Sequence, residues 1–307
     1  IQTEMNPQAL QKQDNSPVTI ADFGSQALVC RRLQQAFPHD PVIGEESSAY
    51  LTSSENTTQL VQLLTYIQRF LPHASPEDVL CWIDRANGKD YSHRFWTIDP
   101  VDGTKGFLRK QQYAISLALV VEGEVVVSTL GCPNLPVERG ISEKKGVVFV
   151  AVKGEGSYQI SLEGDDKPIR IHTSNTNQAN AVQFCESVEQ GHTSHDESAR
   201  IIEDLGARQE SLRVDSQAKY ALIARGEADV YLRIPPDSKY RENIWDQAGG
   251  LLVVQEAGGC VTDLAGRPLD LSQGYKLLQN EGVVVTNGPL HEKILDTIRK
   301  VGRRKKL

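Results

Sequence analysis

Between residues 113 and 152 the sequence shows strand-like apolar runs with no helical pattern between them. An apolar run at 113–121 is followed by Glu122-Gly123-Glu124, a second run at 125–131 and a third at 146–152. Three residues can join antiparallel strands, whereas a parallel crossover takes about a dozen or more. The stretch is therefore predicted to be a meander in an antiparallel sheet, with 169–172 added to it. Gly154-Glu155-Gly156 reads as a further hairpin turn. From about residue 172 the rhythm changes. Short strands at 183–187, 212–214, 230–234, 259–262 and 283–287 alternate with helices at 195–205, 216–225, 244–257 and 290–301. Such alternation builds layered α/β structure.

The segment before residue 113 is mixed. Phe23, Ala27, Cys30, Leu33 and Phe37 recur at helical spacing and stop before Pro38. A short strand at 41–44 follows, then an amphipathic helix at 57–71 carrying Leu60, Leu63, Leu64, Ile67 and Phe70. Phe95 to Ile98 reads as a buried strand. Residues 1–15 are polar and read as a tail or a frayed helix end, broken at Ser16-Pro17. The fold class expected is α/β, with an α+β first half. Two domains are expected, 1–171 with the antiparallel sheet and 172–307 of α/β type. That agrees with 307 residues at about 150 per domain.

Composition excludes several classes. Lys plus Arg is 33 and Asp plus Glu is 40, a net charge of −7. An acidic chain lacks the cationic surface that grips DNA or RNA, so no nucleic-acid polymer is expected as a partner. The longest nearly apolar run, 114–121, is far short of the roughly 20 residues of a membrane span, so no membrane is expected either. Cys30, Cys81, Cys132, Cys185 and Cys260 are far apart, with no CxxC, and read as unpaired thiols of a reducing compartment. No phosphate-binding GxxxxGK[ST] loop is present.

The densest chemical signal is Trp96-Thr97-Ile98-Asp99-Pro100-Val101-Asp102-Gly103-Thr104-Lys105-Gly106. A buried strand would deliver Asp99 at its carboxyl end, Pro100 would stiffen the turn, and Asp102 follows three residues later. Two carboxylates and the Val101 carbonyl are hard oxygen donors suited to Mg²⁺. Gly103-Thr104 would open the next element, whose backbone N–H groups can bind phosphate. Carboxylates beside an anion cradle repel phosphate unless a divalent cation lies between them, so their adjacency points to metal-assisted phosphate chemistry. Taken alone, a DPxDG corner is also an ordinary turn with solvated acids. Three further pieces are ordinary singly. They are Gly44-Glu45-Glu46-Ser47 at a strand end, Trp245-Asp246 opening a helix, and Thr19-Ile20-Ala21-Asp22 as a helix cap.

Together, and in this order, GEES, DPVDGTKGF and WDQAGG resemble the lithium-sensitive, Mg²⁺-dependent phosphatase superfamily of inositol monophosphatases. Within it they resemble the 3′(2′),5′-bisphosphate nucleotidases. The resemblance runs from about Ser16 to Asn287. It implies a layered αβαβα sandwich of the inositol monophosphatase/fructose-1,6-bisphosphatase type, with most metal ligands in the first domain and nucleotide contacts in the second. It also implies two or three Mg²⁺ per site. Glu45, Asp99 and the Val101 carbonyl would hold one, and Asp99, Asp102 and Asp246 a second. A third would sit near Glu45, with Glu46 behind the ligands. Asp22 and Thr104 would be the catalytic pair that orients the attacking water, and Gly103 and Thr104 would meet the phosphate.

Three features of this resemblance favour a doubly phosphorylated nucleotide. They are Lys105 beside the phosphate site, the stretch from Val214 to Tyr220, and Tyr231-Leu232-Arg233 with Gly191 to Asp196. Ser216, Lys219 and Arg233 would contact the 5′-phosphate and nucleotide. His192 would lie near the adenosine, with His195 one turn away as the alternative. The implied reaction converts adenosine 3′,5′-bisphosphate to AMP and phosphate, with 3′-phosphoadenosine 5′-phosphosulfate as a second substrate and Li⁺ as an inhibitor. Two other readings stay open here, an inositol phosphate phosphatase of the polyphosphate 1-phosphatase type, and a nucleotide-sensing or redox-switch protein. The partner expected is a small nucleotide, the assembly a monomer or weak homodimer. The compartment expected is the cytoplasm, or a plastid or mitochondrion for a chain whose transit peptide has been removed. In one respect the chain departs from the family, which has a longer helix before the segment equivalent to Ser16.

Overall fold

The computed structural model describes residues 10–11, 17–138, 144–164, 167–189, 195–235, 237 and 239–304. Near the start, β1 (Leu10–Gln11) pairs antiparallel with β2 (Pro17–Val18). The described part of the polar leader is thus a strand pair and not a helix end.

Helix α1 (Ile20–Ala36) begins in a capping box. The Thr19 hydroxyl accepts from Ala21 N at 3.1 Å, and Asp22 accepts from Thr19 N at 2.8 Å and from its hydroxyl at 2.6 Å. These bonds satisfy donors that a helix start otherwise leaves open. Phe23 and Ala27 of α1 pack against Leu63 and Ile67 of α2 (Thr57–Gln68) and Val79 and Ile83 of α3 (Pro76–Asp84). Helix α3 goes beyond the sequence reading. It is short, but Ser75 caps it, Pro76 opens it and Asp78 closes a second capping box.

The first sheet has seven strands in chain order: β3 (Val42–Gly44), β4 (Arg94–Asp102), β5 (Ala114–Val121), β6 (Glu124–Pro136), β7 (Lys145–Val152), β8 (Gly156–Ser161) and β9 (Ile169–Arg170). Every neighbouring pair is antiparallel except β3–β4, which is parallel. The meander read from the sequence is antiparallel throughout, and the parallel β3–β4 pair adds to it at one edge. The connection from β3 to β4 carries α2 and α3, and a helical crossover returns a strand in the same direction. Helix α4 (Thr104–Leu108) follows β4.

The second sheet contains β10 (Phe184–Glu186), β11 (Leu212–Arg213), β12 (Val230–Arg233), β13 (Cys260–Thr262) and β14 (Val283–Thr286), in the order β11-β10-β12-β14-β13. The first three are parallel and the last two join antiparallel. Helices α5 (His195–Leu205), α6 (Ala218–Ala224), α7 (Trp245–Glu256) and α8 (His291–Arg304) complete the chain. Ile201 and Leu205 of α5 and Ile294 and Leu295 of α8 cover one face of this sheet through Phe184, Val230 and Leu232. On its other face one continuous core joins Tyr231, Val283 and Val285 to Ala221 of α6 and Val253 of α7. The same core reaches Ala118, Leu130 and Phe149 of the first sheet. Cys30 and Leu33 of α1 close the far face of the first sheet against Trp96 and Ile98. The layers are helix, sheet, helix, sheet, helix, as the resemblance implies. Among the described residues no helix is long and apolar enough to cross a membrane.

The middle layer is tight. Thr97, Ala118, Ser128, Ala151 and Ser157 lie in register across β4 to β8 and are all buried. Such a row of small side chains leaves space for α7. A Cβ on Gly249 would overlap the Ser116 hydroxyl, and one on Gly250 would overlap the buried Tyr220 ring of α6. Two adjacent glycines thus let one helix approach the sheet and a neighbouring helix at once. Gly250→Val is expected to destabilise the fold by about 1–3 kcal/mol through overpacking. The measurement is a lower denaturant midpoint at unchanged slope.

Candidate active site

The middle layer ends at a cleft of about 690 Å³, where the end of β4, the starts of α4 and α7, and the 214–217 turn meet. β4 is buried from Phe95 to Val101. Its register against β5 slips near the end: Asp99 faces Ser116, but Asp102 faces Ala114. Residues three apart on a regular strand point to opposite faces. The extra residue of this bulge re-aims the strand and brings Asp99 and Asp102 to one side. Asp246 reaches them from the first turn of α7. Oxygens of Asp99, Asp102 and Asp246 all lie within 4.8 Å of one another.

This crowding perturbs all three acids. Burial, then Glu45, Asp102 and Asp246, hold the Asp99 carboxyl well above the usual carboxylate range. Burial also raises Asp102, against the pull of Lys219 and the Gln217 N–H. Burial and the charge of Asp102 push Asp246 up to about 8. Among the described residues the buried Asp99 Oδ1 has no hydrogen-bond partner. Converging carboxylates with a buried, unbonded oxygen are a donor set for a hard divalent cation, and the site is built to hold one.

Glu45 follows β3 and bonds Asp99 through its side chain. The backbone of the next residue, Glu46, is fixed by a residue that apolar periodicity does not flag. Buried Gln26 of α1 donates to Glu46 O at 2.6 Å and Ile83 O at 2.9 Å, and accepts from Glu46 N at 3.1 Å. Its only trace in the sequence is an amide on the apolar face of a helix.

Thr104 donates its hydroxyl toward Asp22 Oδ1 at 3.4 Å and the Val101 carbonyl at 3.3 Å. Asp22 is fully buried and serves twice, capping α1 with one oxygen and facing Thr104 with the other. It does not line the cleft, whereas Thr104 and Val101 do. Gly103 is left-handed at φ +84°, and a Cβ there would come within 2.9 Å of the Ser216 Cβ. Ser216 is itself left-handed, at φ +68°. For that reason α6 starts at Ala218 and not at 216 as its sequence predicts, since a left-handed residue cannot belong to a right-handed helix.

Gln217, also unassigned by sequence, ties the cleft together. Its N–H donates to Asp102 Oδ2 at 2.5 Å, its amide donates to Trp245 O at 3.0 Å, and its carbonyl accepts from Gly250 N at 3.0 Å.

A cationic side of the same cleft holds Ser216, Lys219 and Arg233. Lys219 is buried, donates to Val214 O at 3.1 Å and lies 4.9 Å over the Tyr231 ring. Burial lowers its pKa to about 8, against the opposing charge of Asp102. Arg233 donates from Nε to Glu242 Oε1 at 3.0 Å. Lys105 lines the rim, half-exposed, and pairs with Glu189 at 3.0 Å. Arg109 pairs with both Glu189 and Asp215. His192 lies outside the described residues.

Residues 1–303 match the inositol monophosphatase family. The chain belongs to that family. It is similar to a 3′(2′),5′-bisphosphate nucleotidase of Schizosaccharomyces pombe, 42% identical over 302 residues that cover 94% of this chain and 85% of that protein. Two solved structures share the inositol monophosphatase fold. The extragenic suppressor protein suhB from Bartonella henselae is 19% identical with a TM-score of 0.63, covering 96% of this chain and 89% of that one. An IMPase/NADP phosphatase complexed with Mg²⁺ and phosphate is 17% identical with a TM-score of 0.61, covering 96% and 87%.

The family's acid cluster makes this chain's stability depend on pH and cation together. The carboxyl of Asp246 titrates higher in the folded chain, at about 8, than the roughly 3.9 of an unfolded aspartate. Its contribution to stability is complete below the unfolded value and is lost as pH rises through about 8. Cation binding requires the ionised form. Thermal melts are therefore expected to show a larger stabilisation by Mg²⁺ at pH 8 than at pH 5.5, and a stabilisation independent of pH contradicts this.

Proposed function

We propose that this chain is a divalent-metal-dependent phosphatase. It removes the 3′-phosphate of adenosine 3′,5′-bisphosphate to give AMP and inorganic phosphate, and takes 3′-phosphoadenosine 5′-phosphosulfate as a second substrate. The observation that carries the reading is a cleft with two poles. The converged carboxylates of Asp99, Asp102 and Asp246 stand at one, and buried Lys219 and Arg233 at the other. A ligand with two phosphates on one sugar needs both. The 42% identity to a bisphosphate nucleotidase supports the same substrate class.

In this reading Glu45, Asp99 and the Val101 carbonyl would hold one Mg²⁺, Asp99, Asp102 and Asp246 a second, and the surroundings of Glu45 a third. Bound there, the ions offset charge on the phosphate and lower the pKa of water. The chain's own groups do the orienting. The Thr104 hydroxyl, directed by Asp22, aligns water opposite the scissile bond. As the water oxygen bonds to phosphorus its proton passes toward the Thr104–Asp22 pair, the bond to the 3′-oxygen breaks, and that oxygen takes a proton from solvent water and leaves as the 3′-hydroxyl. The Gly103 and Thr104 N–H groups face the reacting phosphate. Ser216, Lys219 and Arg233 hold the 5′-phosphate by charge-assisted bonds. Lys105 joins them by exchanging Glu189 for phosphate, and the resemblance assigns the adenosine to His192, with His195 as the alternative.

An inositol monophosphate has no second phosphate to meet the cationic wall; an inositol polyphosphate has one, and that reading is disfavoured by the 42% identity to a bisphosphate nucleotidase. Cys81 is exposed and Cys260 half-buried, whereas burial pushes the Cys30, Cys132 and Cys185 thiols up to about 12, which disfavours a switch built on those three. Such thiols stay protonated and unreactive near neutral pH.

With Mg²⁺ present, kcat/KM is expected to be at least about 10²-fold higher for adenosine 3′,5′-bisphosphate than for either inositol 1-phosphate or inositol 1,4-bisphosphate, the size of discrimination that buried polar partners enforce. An equal or reversed ratio in a phosphate-release assay overturns the reading. Asp99→Asn and Asp246→Asn are each expected to abolish turnover. Melted in chelator, both are expected to be at least as stable as the unaltered chain, because each removes carboxylate repulsion.

A further inference from the structure

Behind Arg233 stands a buried carboxylate that lies outside the cleft lining. Glu242 is on the segment leading into α7, and its side chain is 3% exposed. One oxygen accepts from Arg233 Nε at 3.0 Å and the other from Gln247 Nε2 at 3.2 Å. Gln247 in turn accepts from the Tyr220 hydroxyl. Tyr231 and Tyr240 take further side-chain bonds from Arg233. A satisfied network thus runs from α6 through α7 to the end of β12, each link closed by a partner.

Folding alone gives little reason for this carboxylate. A buried ion pair recovers little of its desolvation cost, and an apolar side chain of the same size often packs as well. Glu242 also adds negative charge near Asp246, which it repels. Arg233, meanwhile, is attracted by Asp102 and Asp246. An arginine without a fixed partner could fold over onto those acids. It would also have to be ordered each time a phosphate bound.

We propose that Glu242 is a positioning residue for substrate. It fixes the Arg233 guanidinium at the second-phosphate pocket, ready for the phosphate that is not cleaved, and withholds it from the metal-binding acids. This rests on the reading of that pocket given above.

The test uses the full chain with saturating Mg²⁺ and two substrates, adenosine 3′,5′-bisphosphate and adenosine 3′-monophosphate. Glu242→Gln keeps the shape and removes the charge. It is expected to raise KM for the bisphosphate about tenfold, equal to about 1.4 kcal/mol. The kcat for that substrate and both constants for the monophosphate are expected to stay within about twofold of their original values. In an Arg233→Met background, adding Glu242→Gln is expected to change KM by less than about twofold, as for residues acting through one group.

A folded Glu242→Gln protein with unaltered KM for the bisphosphate overturns the proposal. So does an equal loss on both substrates, or full additivity with Arg233→Met. If Arg233→Met itself leaves KM for the bisphosphate unchanged, the second-phosphate pocket is wrong and this inference falls with it. If thermal melting shows that Glu242→Gln does not fold, Glu242→Asp keeps the charge and shortens the reach. A raised KM for the bisphosphate is expected there, and an unaltered one overturns the proposal.

Discussion

Three carboxylates that repel one another set the terms for the rest of this structure. Asp99, Asp102 and Asp246 come within 4.8 Å, and burial leaves little water to screen them. No local preference would gather them, so the scaffold has to. Asp99 and Asp102 are placed by a buried strand whose bulge turns both to one side. Asp246 is placed by α7, which reaches the sheet because Gly249 and Gly250 carry no side chains. Gln217 then joins the 214–217 turn, α7 and Asp102 through its backbone and its amide. A divalent cation bound there would offset the repulsion that this scaffold imposes.

Opposite charge stands close by. An acidic chain of net charge −7 presents a local cationic wall through Lys219 and Arg233, both drawn from the second sheet and its helices. Their positive charges and the acids temper one another across the cleft: Asp102 supports the protonated Lys219, and Arg233 eases the ionisation of Asp246. Neither pole is independent.

Much of this was legible in the order of residues. The strand and helix rhythm after residue 172 appears in the structure nearly segment by segment, because each segment buries one face and its apolar spacing records which. The meander at 113–152 was legible for the same reason. What escaped had weaker periodicity. Helix α3 spans only Pro76–Asp84, too few turns for a clear stripe, although its capping residues mark the start. The parallel β3–β4 pair was hidden because strand direction depends on a connection of many residues. Ser216 reads as a helix start, but close packing on Gly103 holds it left-handed.

The sequence by itself determined the chemical types and their local setting. Asp99 and Asp102 follow a buried strand, Asp246 opens a helix, and the glycines and prolines between them impose turns. Those are short-range properties, carried by neighbouring residues. Only the tertiary structure decided which distant residues share the cleft. Gln26, Gln217 and Glu242 are unremarkable polar side chains in sequence. Each gains its place because a buried polar group must find a partner, and the partners lie on other elements. Asp22 shows both levels at once. Its helix cap is local and readable, whereas the Thr104 hydroxyl that it meets at 3.4 Å is brought to it by the packing of α1 beside the end of β4.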